Sequence, residues 1–147
     1  MTYLAMTKTN RLKAVAVGGA VSDLNAVIAD RPEMETGVAA ELIPDYENNK
    51  EEELMKRSAI EWPQEFPKDV PLLMLHGTSD WRVKPEQSLR LALALEKERV
   101  PFRLIMYEGG DHGINEHRQE TKVEIQNWFD KYLRDDAPLP EMEYHGR

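Results

Sequence analysis

The chain has 147 residues, of which 41% are hydrophobic and none is cysteine, and it carries a formal charge of −8 with an isoelectric point near 5.1. This length and apolar content suit one domain with its own core. The negative charge argues against a nucleic-acid backbone or an anionic membrane as partner, and the missing cysteines exclude disulfides, thiolate-bound zinc and a thiol nucleophile. No apolar run is long enough to span a bilayer, and Met1 to Met6 lacks the basic start and apolar stretch of a leader, so a soluble and by default cytoplasmic chain is expected.

In chain order, Thr2 to Thr7 reads as helix with no Ser, Asp, Asn or Pro to start it, so the chain is expected to begin inside an element. Leu12 to Val17 is a short β-branched apolar run that ends at Gly18-Gly19, consistent with a buried strand whose loop reaches Asp23 at the rim of a sheet. Between Asn25 and Glu61, Pro32, Gly37 and Pro44 punctuate short helical patches. Within them Lys50-Glu51-Glu52-Glu53 reads as a solvated helix face, with Leu54 and Met55 as its apolar contacts. Pro63 and Pro67 forbid a continuing helix and make Ser58 to Pro67 a rigid approach to the next strand.

That strand is the centre of the pattern. Val70 to Leu75 is apolar but for nothing, too short for a helix and suited to a strand buried on both faces, and it stops at His76-Gly77. Gly77 permits a sharp turn that holds Asp80 at the carboxyl edge of the sheet, where sites collect in parallel folds. Pro85 fits the first turn of a helix running to Arg99, with Leu89, Ala92, Leu93, Ala94 and Leu95 as its buried face. Phe102 to Tyr107 follows as a strand and runs into Glu108-Gly109-Gly110-Asp111-His112-Gly113, which puts His112 on a comparable loop. A helix over Glu116 to Leu133 offers Ile125, Trp128, Phe129, Tyr132 and Leu133 to the core, and Asp135 to Arg147 reads as a loose tail after a domain of residues 1–134.

An acid and a histidine on neighbouring rim loops match two members of a nucleophilic triad in the chain order serine, acid, histidine. Asp80 and His112 are therefore the candidate site residues. Ser22 and Ser79 also lie on rim loops, but neither has the flanking glycines of a nucleophile elbow, and both read as ordinary loop serines. Asp111 reads as a loop-shaping residue, and His76 as a hydrogen-bonding support of the strand-end turn. The spacing of His112, Glu116 and His117 is not that of a metal site, so neither metal nor cofactor is expected.

His76-Gly77-Thr78-Ser79-Asp80-Trp81-Arg82-Val83 and Gly109-Gly110-Asp111-His112-Gly113 resemble the acid and histidine motifs of the prolyl oligopeptidase family of serine peptidases, and the likeness extends through Arg11 to Ala14, Gly19 to Leu24 and Arg57 to Ala59. The resemblance implies the C-terminal half of an α/β-hydrolase fold, with about three parallel strands flanked by helices. It also implies that Asp80 is the triad acid and His112 the triad base. The family's Gly-x-Ser-x-Gly-Gly elbow does not occur in these residues. The chain is accordingly expected to start just after its nucleophile and to be inactive alone, since losing such a serine costs about 10⁶ in turnover in the best-studied case.

What the resemblance implies for partners is a peptide or ester substrate in the intact parent, with no nucleic acid and no membrane. The edge of the first strand is expected to be open, for pairing with the missing N-terminal half or with a second copy. Two other readings stand beside the peptidase: an esterase of carboxylesterase or dienelactone-hydrolase type in the intact parent, and a truncated, non-catalytic interaction or assembly module.

Overall fold

A computed structural model of the chain describes residues 1–146. Three parallel strands, β1 (Val15–Gly18), β2 (Leu72–Gly77) and β3 (Phe102–Tyr107), form one sheet in the order β1-β2-β3. The registers are Val15 opposite Leu72 and Leu72 opposite Phe102. All six residues of β2 are buried, as its uninterrupted apolar run requires for a strand covered on both faces. On β1 the N–H groups of Val15 and Gly19 donate to Pro71 and Leu75 on the β2 side. Alternation turns the N–H and C=O of Ala16 and Gly18 outward, where no described strand meets them.

Helices cover the sheet on both sides. One face packs Leu72, Met74 and Val15 against Tyr3 and Met6 of α1 (Thr2–Lys8), Leu91 and Leu95 of α5 (Glu86–Lys97), and Ala59, Trp62 and Phe66 of the segment preceding β2. The other packs Leu73, Leu75 and Tyr107 against Ile114 and against Trp128 and Tyr132, which stand on α6 (Arg118–Phe129) and the π-helical turn Asp130–Arg134. Between β1 and β2 the chain forms α2 (Leu24–Asp30), the π-helical turn Glu35–Ala39, α3 (Ala40–Leu42) and α4 (Tyr46–Arg57). These gather around a small cluster of Ala39, Tyr46 and Leu54 beside the sheet. Asp23 caps α2 by accepting from the N–H of Ala26; on α4 Glu51 and Glu52 are exposed, while Lys50 pairs with Glu35 and the partly buried Glu53 pairs with Lys56 and Arg57. Among the described residues no helix is long and apolar enough to cross a membrane.

Several sequence expectations need correction. The buried face of α5 is Gln87, Ser88, Leu91, Ala92 and Leu95, whereas Leu89 and Leu93 are 47% and 65% exposed. Ser88, Leu91, Ala92 and Leu95 share one helical stripe at three- and four-residue spacing, and Leu89 and Leu93 lie one residue, or about 100° of helix, off it. Leu133 and Met55 also face solvent at half exposure. The first strand begins at Val15 rather than Leu12. Helix α5 stops before Arg99 because that residue adopts the left-handed conformation (φ 58°), with the N–H of Arg99 bonded to Glu96 O and that of Val100 to Leu95 O. Those two bonds make a Schellman cap. Residues 135–146 carry no regular element beyond bends at Asp135 and Glu143, although the Tyr144 hydroxyl donates to Glu96 Oε1 at 2.9 Å. The expected tail extends to Arg147, which lies outside the described residues.

Candidate active site

The ends of β2 and β3 are stapled together, and that staple places both candidate residues. After Gly77 the chain turns, and the N–H groups of Thr78 and Ser79 donate to Tyr107 O at 2.8 Å and Gly110 O at 2.9 Å. In return the Gly109 N–H donates to the Thr78 hydroxyl oxygen at 2.8 Å. The backbones approach so closely that a Cβ on Gly77 would sit 2.2 Å from Gly110 O. A glycine at the end of β2 is therefore a condition for the loops of Asp80 and His112 to touch.

Asp80 is 3% exposed and fully engaged. Its Oδ1 accepts from the N–H groups of Arg82 at 2.9 Å and Val83 at 3.0 Å, and its Oδ2 from His112 Nδ1 at 2.8 Å. Burial pushes this carboxyl up, but the Val83 N–H, the His112 ring and the Arg82 N–H together outweigh it and hold the group below the usual carboxylate range. A second imidazole, that of the wholly buried His76, brings Nε2 to 3.1 Å from the same Oδ2.

The His112 side chain is 36% exposed. With Nδ1–H given to a carboxylate, Nε2 is left as the lone-pair nitrogen, and no described protein group hydrogen-bonds to it. The ring leans on Gly19, where a Cβ would lie 3.1 Å from His112 Nδ1 and crowd it, and where the left-handed backbone (φ 53°) disfavours any residue with a side chain. Just before the histidine, Asp111 shapes the turn, its Oδ1 accepting from the N–H of Gly113 at 2.8 Å and of Asn115 at 3.0 Å. Those contacts, led by the Asn115 amide side chain, hold the Asp111 carboxyl below its ordinary value. Ile114 then takes a left-handed conformation (φ 51°) that a β-branched residue adopts at a cost of about 1–3 kcal/mol, offset by burial of its side chain under Trp128.

The other candidates do not join the pair. Ser22 is 1% exposed and its hydroxyl donates to Gln87 O at 2.9 Å, which removes it from any surface chemistry. Ser79 is exposed, on the turn before Asp80. Glu116 accepts from the Asp111 N–H and His117 Nε2 bonds Glu108 O, so these groups do not converge with His112 on a metal, and among the described residues no three such side chains do. Sequence reasoning missed the seat of His112 on Gly19 and the closeness of His76 to Asp80. The paired glycines Gly18-Gly19 at a strand end were the one signal for the first. The second had no local signal beyond its place at the end of β2.

The arrangement is one in which a buried, ionised carboxylate fixes the tautomer of a half-exposed imidazole, so that the outward nitrogen can accept a proton and the resulting cation is stabilised. The profile of the prolyl oligopeptidase family matches residues 1–136. A Rhodopirellula baltica protein named as a Xaa-Pro dipeptidyl-peptidase is 38% identical over 63 residues, which are 42% of this chain and 9% of that protein. In structure the chain is similar to Pyrococcus horikoshii acylaminoacyl peptidase, with a TM-score of 0.78 at 21% identity, over 97% of this chain and 23% of that one. It is similar also to a puromycin-hydrolyzing peptidase of Mycobacterium tuberculosis, with a TM-score of 0.67 at 27% identity, over 88% and 20% of the two chains. The sheet and its helices are thus those of the C-terminal half of an α/β-hydrolase. The chain spans about a tenth of the length of the curated relative and about a quarter of the structural one.

Proposed function

Because this chain belongs to the prolyl oligopeptidase family of serine peptidases, we propose that it carries the acid and the base of a peptide-cleaving triad, Asp80 and His112, and that the nucleophilic serine comes from residues outside these 147. The observation that carries this reading is the 2.8 Å contact between buried Asp80 Oδ2 and His112 Nδ1, with the other ring nitrogen turned outward. In that role Asp80 holds His112 in the Nδ1–H tautomer. Nε2 removes the serine proton as the hydroxyl attacks the scissile carbonyl, the imidazolium is stabilised by the carboxylate, and the same proton passes to the leaving amine. No Gly-x-Ser-x-Gly occurs in the sequence, and neither Ser22 nor Ser79 replaces it, since one is locked to Gln87 O and the other lacks an elbow. Alone, then, the chain is inactive. It becomes half of an active site when a strand bearing the serine pairs with the open amides of Ala16 and Gly18 on β1.

The test is labelling with a fluorophosphonate serine-hydrolase probe, read by intact mass. The folded 147-residue chain should take no label. Joined to an upstream segment that supplies the serine, it should label at that serine, and His112→Ala should abolish both labelling and peptide cleavage. An adduct on Ser22 or Ser79 in the chain alone, or retained turnover in the His112→Ala variant, would overturn the assignment.

A further inference from the structure

We infer that His76 is a positioning residue for the acid: it sets the orientation of the Asp80 carboxylate, and through it the tautomer of His112. The inference rests on the proposed acid and base pair and adds to it a relay that runs from buried Ser88, His76 and Asp80 out to the half-exposed His112.

His76 is wholly buried, and both of its ring nitrogens are engaged. Nε2 lies 2.9 Å from Val83 O and Nδ1 lies 2.6 Å from Ser88 Oγ. A carbonyl oxygen can only accept, so the ring hydrogen is on Nε2, and the lone pair on Nδ1 then accepts from the Ser88 hydroxyl. That single tautomer does two things for Asp80. It grips the carbonyl of Val83, the residue whose own N–H donates to Asp80 Oδ1, and so pins the turn that holds one carboxylate oxygen. It also sets a polarised N–H edge 3.1 Å from the other oxygen, Oδ2, the one that receives His112. The opposite tautomer would turn a bare nitrogen lone pair toward both the carbonyl and the carboxylate, whereas the Ser88 hydroxyl, able to donate or accept, follows whichever tautomer those two oxygens impose. Ser88 and Asp80 are held by different elements, the first turns of α5 and the loop after β2, so His76 also ties the seat of the acid to the helix behind it. A side chain with only a packing role needs none of this polarity at the buried end of an apolar strand.

The pair His76→Gln and His76→Met separates donation from packing. Both side chains reach about as far as imidazole, and only glutamine can place an N–H at the position of Nε2. The readout is nitrogen and proton NMR of the 147-residue chain, following the His112 Nδ1–H and its exchange with solvent, with circular dichroism to verify folding. In the unmodified chain His76 should carry its hydrogen on Nε2, and the His112 Nδ1–H should be visible at low field. The Met variant should exchange that proton about tenfold faster, the equilibrium worth of one hydrogen bond of this kind, and the Gln variant should restore protection. Equal exchange in folded Met and Gln variants would reduce His76 to packing and overturn the inference, as would a hydrogen on Nδ1 of His76 in the unmodified chain. If His112 showed no such proton in the unmodified chain, the acid and base reading itself would fail, and this inference with it. Should the Met variant not fold, Ser88→Ala, which releases the ring without touching Asp80, must accelerate the exchange; an unchanged His112 proton in that variant refutes the relay.

Discussion

Replacing Gly77 by alanine is the sharpest perturbation of the site that touches none of its polar groups. The added Cβ would lie 2.2 Å from Gly110 O, 2.4 Å from Gly110 C and 2.5 Å from Asp111 O. All three are backbone atoms, so no flexible side chain can swing aside, and the loop must retreat by about an ångström to reach ordinary contact. That loop is joined to the turn after β2 by the bond from Ser79 N–H to Gly110 O, and its next residue is His112. Overpacking of this kind costs about 1–3 kcal/mol, and at the upper end a domain of this size melts roughly 6–12 °C lower. The same retreat stretches the 2.8 Å contact between Asp80 and His112. Gly18→Ala is the matched control, because a Cβ there meets nothing within 4 Å. The assay is thermal unfolding of both variants together with the His112 Nδ1–H resonance. A Gly77→Ala variant that melts with the parent and keeps that resonance would refute the claim that the close approach of the two loops builds the site.

Acid should expose the depressed carboxyl of Asp80. Its folded value lies below the ordinary one of about 3.9, so the unfolded chain binds that proton more readily, and the stability it contributes is complete above about pH 5 and lost as pH falls through the folded value. The difference in urea stability between the parent and Asp80→Asn should therefore be largest near neutrality and shrink below about pH 4, and a difference that stayed constant down to about pH 3 would remove the linkage. In the core, Leu91→Ala deletes a wholly buried side chain of α5 and should cost about 2–5 kcal/mol, measured by urea titration. Leu93→Ala, on the exposed face of the same helix, should stay within about 0.5 kcal/mol.

Much of this architecture can be read from local pattern, and the places where reading stops have a physical reason. The central strand is plain in Val70 to Leu75, because burial on both faces leaves no polar position, and the glycines at its end and in the loop after β3 announce the turns that hold Asp80 and His112. The phase of α5 is less legible. Leucines at 89, 91, 93 and 95 fit more than one stripe, and the winner is set by polar residues: Gln87 is drawn inward by the N–H groups of Ser22 and Asp23, and Ser88 by His76. Those partners lie on other elements, so no window around α5 contains them. The same holds for the seat of His112 on Gly19, a contact between residues nearly a hundred positions apart.

The two connections between strands differ greatly in the chain they must close. Strands β2 and β3 are linked by residues 78–101, half of them in α5, whereas β1 and β2 are separated by residues 19–71. Loop closure is slower and entropically dearer for the longer span, so pairing of β2 with β3 is the early event in folding and pairing of β1 the late one. Asp80 and His112 both belong to the early unit, and the contacts that hold Asp80 all come from residues 76–112. Docking of β1 adds Gly19 against the imidazole. The order of assembly thus forms the proton-handling pair first and walls in its ring last, with the same strand that presents the unpaired edge.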